Sequence, residues 1–194
     1  MNKLKIRDMR PTQLTVGRAE VEMKVQELKV LSGHELEMKI ASKPVPVVLG
    51  PGGERFITDH HHEVTAMHLV GIEVAVVTLI ADFSSWSLSD FWQTMEDKRW
   101  AYPYDGMGRR RPFTDFPTHI WKLDDDIFRS LAAFVQRAGG YEKTQVPLEE
   151  FRWADLLRTN LSLPEGEPDF TTLTKQGVKI SRSKAALGLP GFAG

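Results

Sequence analysis

Asp59-His60-His61-His62-Glu63 is a run of five residues, each able to ligate a metal, move a proton or contact phosphate. Imidazole titrates near neutral pH and its ring nitrogens bind divalent ions. A histidine run flanked by carboxylates therefore suits acid–base, metal or phosphate chemistry. Asp59 is a candidate general base or Mg²⁺ ligand, with a plain helix N-cap as its ordinary structural use. His61 and His62 are candidates for phosphate contact and proton transfer, and Glu63 for a base or a further ligand. Asp59, His61 and Glu63 form the candidate divalent-ion set. Successive helical residues point about 100° apart, so three rings in a row cannot share one pocket, and His60 is the first to set aside.

A strand-to-helix turn must position these groups. Glu54-Arg-Phe-Ile-Thr58 reads as a strand, and Val64, Met67, His68 and Gly71 recur at helical spacing after it. The first N–H groups of such a helix lack partners, and its dipole adds positive character, which favours an anion. His68 follows His61 by seven residues and shares its helix face, where a core-edge role is the ordinary one.

Composition narrows the classes. The chain has 194 residues, 41% apolar and 26% charged, as expected of a globular protein with a proper core. A formal net charge of −1 leaves no overall electrostatic footprint for nucleic acid. Arg109-Arg110-Arg111, in a Gly/Pro-rich loop, is the one dense basic cluster and gives only thin support for nucleic-acid binding. The absence of cysteine excludes disulfides, thiolate metal sites and cysteine nucleophiles. No apolar run reaches the 18 or so residues a membrane span needs, and the N-terminal residues lack a signal-peptide core, so a cytoplasmic protein is expected.

Along the chain, Leu4–Met9 predicts a strand. Residues 17–39 predict one helix, or two broken at Ser32-Gly33. Val45–Leu49 predicts a strand, Gly50-Pro51-Gly52-Gly53 a turn, and 74–80 a buried strand. The resulting fold class is α+β: a small mixed-sheet domain over 1–82, a helical extension packed on it over 83–161, and a Pro/Gly-rich tail, extended or partly ordered, over 162–194. Helices are expected near 90–98, after Leu123-Asp124-Asp125-Asp126, and over 148–161. The three aspartates suggest a divalent-ion site, but acids at a helix start serve the dipole alone. Trp86, Trp92, Trp100, Trp121 and Trp153, with Phe91, Phe128 and Phe151, read as packing residues rather than base-stacking platforms.

The unit from Pro44 to Ala66, followed by Gly71 and a Val-rich strand, resembles the ParB/sulfiredoxin superfamily. There a strand, a hairpin and a second strand ending in a Gly-Glu-Arg-Arg, Gly-Cys-His-Arg or Asp-Gly-His-His-Arg box precede a helix. Phe91-Trp92, Tyr102–Gly106, Asp125–Arg129, Gly139–Tyr141 and Phe151–Asp155 resemble the ParB-like nuclease subgroup. The resemblance implies a phosphate- or nucleotide-handling pocket at the box, with ATP, ADP or CTP and a divalent ion as candidate cofactors. Its partner would be a nucleotide or another small phosphorylated molecule. Asp59, His61 and His62 match the free-serine-kinase form of the box. His60 stands where that form has glycine, and Glu63 stands where it has arginine, placing negative charge beside the anion site. His60, His61, His62, Gln13 and Lys24 are the candidate cofactor-binding groups. Glu20 and Glu22 lie where kinase relatives keep a catalytic glutamate. The resemblance thus implies a kinase-like phosphotransferase or a metal-dependent nuclease, with a non-catalytic binding or regulatory module as the competing class.

Overall fold

The computed structural model describes residues 2–194. Its contacts divide the chain into two units: Met1–Val16 with Val21–Asp125, and Gly17–Glu20 with Asp126–Gly194.

The first unit is built on a five-stranded mixed sheet. Its strands are β1 (Asn2–Lys5), β2 (Met9–Arg10), β4 (Val45–Leu49), β5 (Arg55–Ile57) and β6 (Val74–Asp82), in the order β1-β6-β4-β5-β2. β4 runs parallel to β6 and antiparallel to β5, while β2 joins β5 in parallel. A separate two-residue strand β3 (Thr15–Val16) pairs with β7 (Asp124–Asp125). The expected strand over Leu4–Met9 is thus divided: a 3₁₀ turn at Ile6–Asp8 separates β1 from β2. The turn between β4 and β5 uses Gly52 and Gly53 at φ 72° and 78°, a region that costs a residue with a Cβ.

Neighbouring residues of a strand face opposite sides, and the sheet uses both. Val45 and Val47 of β4 and Ile57 of β5 enter one core with Val21, Val25, Val64 and Met67. Val48 and Phe56 enter another, with Phe83, Phe91, Trp92, Met95 and Phe116. The helices of this unit are α1 (Arg18–Lys29, whose first residues belong to the other unit), α2 (Gly33–Ser42), α3 (His61–Leu69) and α4 (Leu88–Asp97). Ser32 ends the run from residue 17 because its side chain accepts from the Glu35 N–H while the Glu35 carboxylate accepts from the Ser32 N–H. α2 buries none of its residues; Leu36 and Ile40 are half-buried against the core.

The second unit packs α5 (Ile127–Arg137), α6 (Glu149–Asn160) and α7 (Phe170–Ser181) around Leu131, Val135, Trp153, Leu157 and Leu173. Residues 170–181, in the tail expected to be extended or partly ordered, form a helix: Asp169 caps it by accepting from Thr171 and Thr172 N–H, and Leu173 and Gly177 are buried.

Candidate functional site

Ile57 ends β5, and the chain turns through Thr58, Asp59 and His60 into α3. His60 takes the N-cap position at φ 65°, ψ 23°, left-handed backbone that glycine adopts at little cost and other residues hold at about 1–2 kcal/mol. The Asp59 side chain is exposed, and its Oδ1 accepts from the His60 N–H at 2.6 Å. Asp59 Oδ2 lies 3.8 Å from His60 Nε2, while His60 Nδ1 is buried without a hydrogen-bond partner. Burial lowers the His60 pKa below the ordinary histidine value; Asp59 and Glu63 oppose that shift, and Lys43 and Lys24 reinforce it.

His61 serves the fold. Its ring is 5% exposed, and Nε2 accepts the buried backbone N–H of Thr12 at 3.1 Å. Thr12 Oγ1 donates to the Ile57 carbonyl at 2.8 Å, so the loop before β3 is tied to both the end of β5 and the first turn of α3. A nitrogen lone pair committed to Thr12 is not offered to phosphate or metal. His62 is buried as well, at 9% exposure. The two rings expected to contact phosphate are therefore both inside the protein.

Glu63 turns elsewhere. Its carboxylate lies 3.4 Å from Lys24 Nζ on α1, both side chains being largely buried. Together they form one wall of a cavity of about 270 Å³ lined by α1, α2, α3, β4 and β6. Lys24, Lys39 and Lys43 meet there with Glu27 and Glu63, over an apolar surface of Ile40, Val45, Met67, Ala75 and Val76. Lys39 pairs with Glu27 at 3.6 Å. Lys43, just after α2, has no carboxylate partner among the described residues, which leaves one cation more than the anions present.

Of the sequence candidates, the structure brings Lys24 and Glu63 together on this cavity, with His60 close enough for its titration to feel Lys43, Glu63 and Lys24. It does not gather Asp59, His61 and Glu63: among the described residues no three His, Cys, Asp or Glu side chains are placed to hold a metal ion. Gln13 is buried and donates to the Thr15 carbonyl, so it stabilises its own loop. Glu22 is exposed; the Glu20 N–H lies on Ser130 Oγ in the second unit. His68 stacks on Trp121 at 4.6 Å.

Two other clusters also resolve. Arg109, Arg110 and Arg111 pair with Asp105, Glu96 and Asp115 respectively, so their charge is compensated locally. Asp124 and Asp125 form β7, while Asp126 caps α5 through the Phe128 N–H and pairs with Arg158 at 2.6 Å. Burial raises the Asp126 pKa against the pull of Arg158 and Arg129. Sequence reasoning missed Lys39, Lys43 and Glu27. Their only signal was spacing: Lys24 and Glu27 stand three apart on the face of one helix, while Lys43 follows Lys39 just past the end of the next.

A family model described as "Putative ParB-like nuclease" matches residues 2–159. The crystal structure of protein Atu1540 from Agrobacterium tumefaciens is similar at a TM-score of 0.90 and 36% identity, over 100% of this chain and 97% of that one. No curated protein matches.

Proposed function

The chain belongs to this ParB-like family, and from that premise we propose that it binds a phosphate ester in the lysine-lined cavity beside the Asp59–Glu63 turn. The observation that carries the reading is the meeting of Lys24, Lys39 and Lys43 on one partly apolar hollow in a chain of net charge −1. Ammonium groups are compact charges with three rotatable donors, suited to phosphate oxygens. The apolar wall lowers the local dielectric and strengthens each such contact relative to water.

A second, catalytic reading is favoured by His60. Strained backbone tends to be retained where a side chain has work to do. Burial lowers its pKa, and with Nδ1 buried the nitrogen left to accept a proton in phosphodiester hydrolysis is Nε2, 3.8 Å from Asp59.

Thermal-shift measurements with AMP, ADP, ATP, CTP and inorganic phosphate, each with and without Mg²⁺, test the binding reading. A ligand at 100 times its Kd adds about 2.7 kcal/mol, or about 5–10 °C for a chain of this size. Stabilisation by phosphorylated compounds that is lost in Lys43→Ala is the expected result. No shift with any of them overturns it. For the second reading, hydrolysis of a nitrophenyl phosphodiester should fall at least about tenfold in His60→Gly.

A further inference from the structure

We infer that the cavity selects a phosphomonoester carrying a compact apolar body, of the size of a nucleoside monophosphate, and discriminates against nucleoside triphosphates. The inference rests on the phosphate-binding reading of the same cavity and deepens it.

Volume is the first ground. Pockets for drug-sized ligands span roughly 300–1,000 Å³. The cavity, at about 270 Å³, lies just under that range. A phosphate and one ring system fill it, so the further phosphates of a triphosphate would lie outside the hollow and draw nothing from its apolar lining. Charge is the second ground. A terminal phosphate carries about −1.5 to −2 at neutral pH. Three lysines face two glutamates, and Lys24 and Lys39 are already engaged by Glu63 and Glu27. Lys43 is the cation left over for the ligand. A single phosphate at Lys43 can also draw on Lys24 and Lys39, whereas each further phosphate adds charge beside Glu27 and Glu63 with no unpaired cation to receive it. The third ground is the apolar part of the lining. Ile40, Val45, Met67, Ala75 and Val76 offer surface that an apolar body would cover and bare phosphate would leave wet.

Lys43 is exposed and follows the end of α2, so its truncation leaves the core intact. Glu27 is also partly exposed. Titration calorimetry of the full chain with AMP, CMP, ATP, CTP and inorganic phosphate tests the inference. AMP or CMP should bind at least about tenfold more tightly than its triphosphate and than inorganic phosphate. Lys43→Ala should weaken the monophosphate by about tenfold or more. Glu27→Gln should narrow the gap between monophosphate and triphosphate, because it removes a repulsive carboxylate. Equal or tighter binding of triphosphates overturns the selectivity and leaves phosphate binding standing. Equal binding of inorganic phosphate overturns the apolar-body argument in the same way. If none of the five compounds binds, the inference and the phosphate-binding reading fall together.

Discussion

Replacing His61 with alanine separates a structural ring from a chemical one. The imidazole is 5% exposed and accepts the N–H of Thr12, itself 1% exposed. Alanine leaves that N–H buried without an acceptor, which costs about 1–3 kcal/mol. It also empties the space of a buried ring; large-to-small changes in cores cost about 2–5 kcal/mol, with a polar ring at the lower end. The two losses share one side chain and do not simply add, so a net loss of about 3 kcal/mol is expected. Glutamine can place an oxygen near the position of Nε2, so His61→Gln should retain the Thr12 contact and lose about 1 kcal/mol. Urea unfolding followed by circular dichroism reads both as shifts in midpoint at similar slope. A ring kept for chemistry predicts the opposite pattern, because functional groups are often held against stability. His61→Ala within about 0.5 kcal/mol of the parent, or more stable than it, would refute the structural assignment.

Other outcomes follow from the same contacts. His60→Gly relieves left-handed strain and removes a ring with an unpartnered nitrogen, but gains unfolded-chain entropy; the net change should stay within about 1 kcal/mol by urea unfolding. Because the folded-state pKa of His60 is lowered, the unfolded chain binds its proton first as pH falls. Its contribution therefore makes stability rise with pH in the window just below the ordinary histidine value of about 6.5, and that slope should vanish in His60→Gly. In α7, Gly177→Ala should destabilise by about 1–3 kcal/mol despite alanine's better helix propensity, because the new Cβ falls on Val135 of α5. Arg109→Ala should change stability by less than about 1 kcal/mol, its exposed ion pair with Asp105 being solvent-screened. Amides of α2, a helix with no buried residue that nevertheless carries Lys39 and Ile40 to the cavity, should gain hydrogen-exchange protection on addition of AMP.

Local signals made much of the fold legible. The break between α1 and α2 was written in Ser32 and Glu35, a reciprocal cap that needs no tertiary context. The β4–β5 hairpin was written in Val45–Leu49 and its glycine turn, and the α5 cap in Asp126. α7 was obscured because Pro, Gly and Ser around residues 162–170 dominate the composition there. Its own signal was the Asp169 cap followed by Leu173 and Gly177, and the small residue faces Val135. The candidate site was legible in part. The Asp59–Glu63 turn does sit at a strand-to-helix junction, and Lys24 and Glu63 do reach one cavity. The destination of each ring was not legible, since it depends on Thr12, which lies 49 residues from His61 and meets it only once the sheet has formed. Lys39 and Lys43 escaped notice for a related reason: lysines on and just after a lightly packed helix read as a solvated face until β4, β6 and α3 close the other sides of the hollow.

The proposal places phosphate on the cavity lysines and not on the rings of His61 and His62, and an NMR titration of the labelled chain with AMP tests it most directly. Lysine Nζ and neighbouring methyl signals of Lys24, Lys43, Ile40 and Val76 should shift saturably while the His61 and His62 imidazole signals hold still. Saturable shifts led by the His61 or His62 ring, with the Lys24 and Lys43 signals unmoved, would contradict it.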